Sequence, residues 1–223
     1  MSEIAVSVKA LFDLTHTAAA PLLAEVTYPW EILSRIGAFI EQLGNTLPAA
    51  DYDRPAPTVW IHRTAKVAPT AYIGERVIIG ENTEVRHGAF IRENALVGKN
   101  AVVGNSTELK NVILFDKVQV PHYNYVGDSV LGYAAHLGAG AITSNVKSDK
   151  TPVVIKMGER SLATDRKKVG AMLGDGVEVG CGSVLNPGTV VGKNSRIYPL
   201  SSVRGFVPPD SIYKRQGEVV DCR

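Results

Sequence analysis

A valine, leucine or isoleucine returns every sixth residue over most of this chain, and no other feature constrains its fold as strongly. The run starts at Ile61 and continues through Val67, Ile73, Ile79, Val85, Ile91, Val97, Val103 and Leu109 without a slip. A second run is as strict: Leu173, Val179, Leu185, Val191, Ile197, Val203. A helix repeats at ~3.6 residues and a strand alternates at two, so neither produces a six. A fixed hexapeptide marks a solenoid, the parallel β-helix, in which three short faces close a triangular coil of about 18 residues. The aliphatic points inward and stacks on its equivalents at the strand spacing of ~4.8 Å. Gly74, Gly80, Gly98, Gly104, Gly174, Gly180 and Gly192 each follow an aliphatic position, as expected where the chain turns a tight corner. Between the runs the period continues with one-residue deletions: Leu114, Val120, Val126, then Leu131, Leu137, Thr143. Fifteen rungs before residue 144 and six after 172 give five coils plus two. The expectation is an all-β solenoid of about seven coils over residues 59–207.

The segments outside the repeat divide the chain. Residues 1–50 carry a helical signal, with Trp30, Leu33, Ile36, Ile40 and Leu43 on one face and Pro29 suited to a first turn. Such an apolar segment could cover a partner or the open end of the solenoid. Residues 51–58 read as a linker and 208–223 as a C-terminal tail. Residues 144–168 interrupt the solenoid with seven basic residues (Lys147, Lys150, Lys156, Arg160, Arg166, Lys167, Lys168) against three acids. A charged excursion from a rigid scaffold points to function and to a loop that orders around a ligand.

Composition excludes several classes. A net charge of +2 argues against a nucleic-acid binder. No stretch approaches the ~20 apolar residues of a membrane span, and the N-terminus lacks a secretory pattern. Cys181 and Cys222 show no pairing pattern and read as free thiols in a reducing cytoplasm, with a disulfide as the alternative.

Chemistry concentrates in the middle coils. Arg92 follows Ile91 and Lys110 follows Leu109, 18 residues on. The ideal repeat therefore stacks the two cations about 5 Å apart on successive coils, a clamp for a phosphate or carboxylate, or simply two solvated side chains. The next coil reads HYNYVGD, residues 122–128, and brings His122, Tyr123 and Tyr125 to an adjacent corner. An imidazole there suits a general base.

HYNYVGDSVLG followed by HLGAGAITSN resembles the C-terminal half of the bifunctional N-acetylglucosamine-1-phosphate uridyltransferases/glucosamine-1-phosphate acetyltransferases. It resembles still more the acyltransferase-like ends of sugar-1-phosphate nucleotidyltransferases. The likeness covers about residues 58–205, and 86–145 is its specific part. It implies a left-handed parallel β-helix, acetyl-CoA as co-substrate, no metal, and a homotrimer with sites between prisms. By motif, His122 matches the base that deprotonates the sugar amine. Arg92 and Lys110 match the residues that hold the sugar phosphate, with Tyr125 beside them. Asn145 matches an asparagine on the amino sugar, and Ala139 a backbone amide on the acetyl-CoA side. Lys150 is closest in spacing to a phosphate-side lysine. Lys156, Arg166, Lys167 and Lys168 would face the phosphates of coenzyme A. His136 stands where the family has asparagine and is a second substrate-contacting or basic candidate, while Val146 replaces a tyrosine. No glycine-rich phosphate loop is found near the N-terminus, so pyrophosphorylase activity is not expected.

Two other readings compete. One is a non-catalytic trimeric or regulatory module that binds a sugar phosphate beside a separate nucleotidyltransferase. The other is a zinc hydrolase of the γ-carbonic-anhydrase kind, which needs three converging histidines. The five present here (His16, His62, His87, His122, His136) lack that class's four-residue gap.

Overall fold

The computed structural model describes residues 3–221 and is a parallel β-helix with three faces. The first face stacks Val59–His62, the C-terminal halves of four long strands (Tyr72–Ile79, Phe90–Val97, Glu108–Leu114, Tyr125–Leu131), then Ala171–Leu173, Thr189–Val191 and Phe206–Val207. The second runs from Lys66–Val67 through Gln119–His122 and His136–Leu137 to Ser211–Arg215. The third holds the N-terminal halves of the long strands, then Ile142–Thr143, Val184–Leu185 and Ser202–Val203. Inward aliphatics such as Ile79, Ile91, Val103, Leu109 and Leu137 are buried in one cluster. Nearly every corner is turned by one residue with positive φ, for example Asn100, Tyr123 and Asp128, a region that asparagine and glycine enter most easily. The glycine after the aliphatic has its own cause at Gly104: a Cβ there would lie 1.7 Å from the carbonyl oxygen of Pro121 on the next coil.

The solenoid runs past the seven coils expected. Val207 and Tyr213 add two further rungs, so residues 208–223 are not simply a tail. Ser211–Arg215 pairs in parallel with Arg196–Ile197, and Glu218–Asp221 folds back antiparallel to close that edge. At the other end the linker of 51–58 is a strand, Tyr52–Ala56, antiparallel to Val59–His62. Both solenoid ends thus finish with an antiparallel strand that occupies an open edge.

The N-terminal segment is a series of short turns ending in a helix, Ile36–Gly44, with a break at 33–35. It covers a side of the prism, not its end. On the first face the outward residues Trp60, Ile78, Leu96, Ile113, Val130, Met172 and Val190 are apolar and buried. They share one cluster with Leu11, Phe12, Leu23, Ile32, Ile36 and Ile40. Phe12 packs in a tilted arrangement on Phe115 with ring centroids 5.1 Å apart, and Asn111 donates to the Leu33 carbonyl. Residues 144–168 also depart from expectation. They form a hairpin, Val154–Met157 with Arg160–Ala163, that buries Val153, Ile155 and Met157. Three core side chains anchor this segment to the coils, which does not fit a loop left loose until a ligand arrives. No helix among the described residues is long and apolar enough to cross a membrane.

Candidate functional site

The third face, with a corner on either side, carries the predicted chemistry. At the corner between second and third faces, His122 ends its strand with an exposed ring that hydrogen-bonds no described residue. Directly above it on the next coil is the turn around Ala139, whose neighbour Gly140 donates its amide to the His122 carbonyl at 3.0 Å. Buried Asn124 clamps the two together. Its Oδ1 accepts from the His122 amide, and its Nδ2 donates to the carbonyls of Gly138 and Ala141. The structure therefore brings His122 and Ala139 side by side, and Asn124 is a positioning group that motif reading passed over. Free Cys181 continues this corner one coil further on. Cys222, its alternative disulfide partner, lies outside the described residues.

The opposite corner, between third and first faces, holds a polar network. Lys110 Nζ lies 3.2 Å from both oxygens of Asp128, Asn111 Nδ2 donates to Oδ1 at 2.9 Å, and Asn145 Nδ2 donates to Oδ2 at 2.5 Å. Asn145 also donates to the Tyr125 hydroxyl at 3.2 Å. Lys110, Tyr125 and Asn145 are thus gathered around an aspartate that the sequence reading did not single out. The Tyr125 ring folds over Gly127, where a Cβ would lie 2.4 Å from the phenol oxygen. Burial, then the carboxylates of Asp128 and Glu108, push the Tyr125 phenol up, so it remains an O–H donor at neutral pH.

The expected cation clamp is not formed. The one-residue deletion after Leu109 falls at this corner and shows as a bulge: Ile91 pairs with Leu109, but Glu93, not Arg92, pairs with Lys110. Arg92 is looped out and bonds Glu108 at 3.0 Å, while Lys110 is closed onto Asp128. Two cations expected to share an anion each have a carboxylate of their own. His136 is also away from the His122 corner. It lies on the second face between Gln119 and Glu178, with Nδ1 2.7 Å from Glu178 Oε2.

Five of the seven basic residues of 144–168 split between two grooves at the base of the hairpin. Lys147 and Lys156 line one of about 340 Å³ together with Ser144, Asn186 and Arg204, an arginine that sequence reading missed. Neither Lys156 nor Arg204 has a carboxylate within 4.0 Å among the described residues, whereas Lys147 pairs with Asp149. Arg166, Lys167 and Lys168 line the other groove with Asn111 and Asp128. There Arg166 is bound to the Glu31 carbonyl and the Ser34 hydroxyl, tying the hairpin to the N-terminal segment. Lys150 is exposed in the turn before the hairpin, in neither groove. Among the described residues no group of three or more His, Cys, Asp or Glu side chains could hold a metal ion.

Comparison with known proteins bears out the resemblance read from the two motifs. Residues 81–191 match the family model described as the GMPPB C-terminal domain. The bifunctional protein GlmU of Methanococcus maripaludis is 32% identical over 115 residues, which is 52% of this chain and 28% of that protein. A bifunctional sugar-1-phosphate nucleotidylyltransferase/acetyltransferase of Sulfurisphaera tokodaii is 31% identical over 109 residues, 49% of this chain and 27% of the relative. The chain thus spans little more than a quarter of these relatives. Among solved structures, the polySia-specific acetyltransferase NeuO aligns with a TM-score of 0.45 at 14% identity, over 74% of this chain and 87% of its own.

Proposed function

We propose that this chain, a hexapeptide-repeat relative of sugar-nucleotide acyltransferase domains, transfers an acetyl group from acetyl-CoA to an amino-sugar phosphate or nucleotide sugar. The observation that supports it most is the pairing of His122 with the Ala139 turn through Asn124. An exposed imidazole with no hydrogen-bond partner among the described residues is held beside the backbone that the resemblance assigns to the acetyl-CoA side.

In this reading the acceptor amine lies over the third face between the two corners. His122 takes the proton that the amine loses as its nitrogen attacks the thioester carbonyl. The carbon–sulfur bond then breaks, and the same proton goes to the departing coenzyme A thiolate. Arg92, 43% exposed, is the residue able to exchange Glu108 for a substrate phosphate. Lys156 and Arg204 are the cations open to the phosphates of coenzyme A. Homotrimer formation, with sites between prisms, belongs to the same proposal, and a monomer in light scattering at micromolar concentration would remove the interfacial site. The decisive experiment incubates the protein with acetyl-CoA and a panel of amino-sugar phosphates and nucleotide sugars and measures thiol release. Failure of every acceptor on the panel to give thiol release would remove the reading.

The pairing of Arg92 with Glu108 and Lys110 with Asp128 favours one alternative, a non-catalytic module built on an acyltransferase scaffold. That module would tolerate loss of the His122 ring, and the enzyme would not.

A further inference from the structure

Asp128 has no part in the reading above, yet it is the hub of the third-to-first corner. Its side chain is 6% exposed, and its two oxygens receive Lys110, Asn111 and Asn145. An ionised carboxylate accepts hydrogen bonds and donates none, so both asparagines must turn their N–H groups toward it. For Asn145 the consequence is complete. Its Nδ2 serves Asp128 and the Tyr125 hydroxyl, which occupies both N–H bonds inside the chain. What Asn145 offers outward is Oδ1, an acceptor. The Tyr125 oxygen accepts from Asn145, and its own hydrogen is left to donate. Lys110, only 16% exposed, is at the same time neutralised in place.

The backbone does not need a carboxylate here. Asp128 turns the corner with φ of 48°, and the matching positions on the two preceding coils are Asn94 at 51° and Asn111 at 56°. Asparagine suits this left-handed region well. The turn would accept an asparagine in place of Asp128 as readily, so the charge and its acceptor-only character are what the aspartate adds.

We propose that Asp128 is a positioning residue for the acyl acceptor. It locks Asn145 with Oδ1 outward and holds Lys110 in a closed pair. The site accordingly takes an acceptor that presents an N–H or O–H to Asn145, and not an anion to Lys110. This rests on the acyltransfer reading and specifies the acceptor end of it.

The test compares glucosamine 1-phosphate, glucose 1-phosphate and 2-deoxyglucose 1-phosphate by calorimetry, with thiol release from acetyl-CoA followed in parallel. At carbon 2 the glucosamine ammonium can only donate, so the wild-type protein should bind glucosamine 1-phosphate about tenfold more tightly than the 2-deoxy sugar, the effect of one hydrogen bond; glucose 1-phosphate, whose hydroxyl donates or accepts, controls for polarity alone. Asp128→Asn should reduce the ratio below threefold, because an amide at this position lets Asn145 turn over. Adding Asn145→Asp restores an acceptor-only group facing outward, and the ratio should recover, which a merely structural defect would not do. An unchanged ratio in a folded Asp128→Asn protein overturns the proposal. Should that variant not fold, the double exchange decides, and failure to discriminate overturns it equally. Wild-type protein that neither binds these sugars nor releases thiol removes the acyltransfer reading and this inference with it. Wild-type activity alongside an unaltered Asp128→Asn ratio removes the inference alone.

Discussion

The first and third faces of this prism share an inward ladder and differ on the outside. Outward positions of the first face are Trp60, Ile78, Leu96, Ile113, Val130, Met172 and Val190, all buried under the N-terminal segment or the hairpin. Equivalent positions of the third face are Tyr72, Phe90, Glu108, Tyr125, Ile142, Val184 and Ser202, none of them buried. Tyr72 and Phe90 make an edge-on aromatic pair that is 61% and 41% exposed. The hexapeptide therefore specifies a scaffold through one residue in six. The residue beside it decides whether a face holds the molecule together or meets other molecules. A covered face should carry stability, and a bare face should carry chemistry.

The largest effect expected on the bare side is at His122. His122→Ala should lower turnover by about 10²–10⁴, the range for loss of a general base, with acceptor affinity nearly unchanged. His136→Asn should keep at least a tenth of the activity, because His136 lies on the second face paired with Glu178. Steady-state kinetics on both variants check this. Loss of activity in His136→Asn but not His122→Ala would move the chemistry off the third face.

The covered side is broken by truncating its lane. Ile113 is fully buried although it points away from the prism interior. Ile113→Ala should cost about 2–5 kcal/mol of unfolding free energy, as for other buried aliphatics. Glu108→Ala, its counterpart on the bare face, should stay within about 0.5 kcal/mol. Denaturant melts decide. Equal costs would mean that the third face is structural too.

What sequence could reveal follows the same division. The inward ladder was legible because one residue type recurs at one period, and the stack needs nothing else. The apolar outward lane of the first face was equally present in the sequence, one residue before each inward aliphatic. A period counted on one residue in six does not register it, so the expectation for the N-terminal segment was a partner surface or the open end of the solenoid, not a side. Strands at 52–56 and 211–215 escaped because the first pairs antiparallel outside the repeat and the second follows a four-residue step from Val203 to Val207. At the candidate site, His122, Tyr125 and Asn145 were singled out through their motif. Asp128 and Asn124 were not, since each acts by whom it touches one coil away. The clamp of Arg92 and Lys110 failed on a single deleted residue, which moves a side chain out of register without disturbing the ladder.

A smaller effect tests where the hairpin contributes. Lys156 and Arg204 line a groove from the insertion and from a late coil, and neither has a carboxylate partner among the described residues. If coenzyme A places a phosphate there, alanine at either position should weaken its binding by about 1.5–3 kcal/mol, the range for hydrogen bonds to charged groups. Affinity for 3′-dephospho-coenzyme A, measured alongside, shows which phosphate is involved. Lys167→Ala, in the other groove, should change little. A loss at Lys167 with none at Lys156 would place the cofactor on the Asp128 side of the hairpin.

The smallest expected effect is spectroscopic and concerns Tyr125. Its phenol is half-buried between the two corners, and burial pushes its titration above the ordinary value of about 10. The carboxylates of Asp128 and Glu108 push the same way, while Arg92 and the Asn145 hydrogen bond oppose them. Stability linked to this group is present below the unfolded value and is lost as pH rises through the higher folded one, because the fold disfavours the phenolate. A difference ultraviolet titration of wild type against Tyr125→Phe isolates this ring among the eight tyrosines. It should titrate above the ordinary value, and Asp128→Asn should move it part of the way back by removing one of the two nearby negative charges. Burial is the largest cause and stays in place, so a full return is not expected. A titration unaffected by Asp128→Asn would mean that the carboxylate does not face the phenol. The bare face would then lose its link to the polar corner.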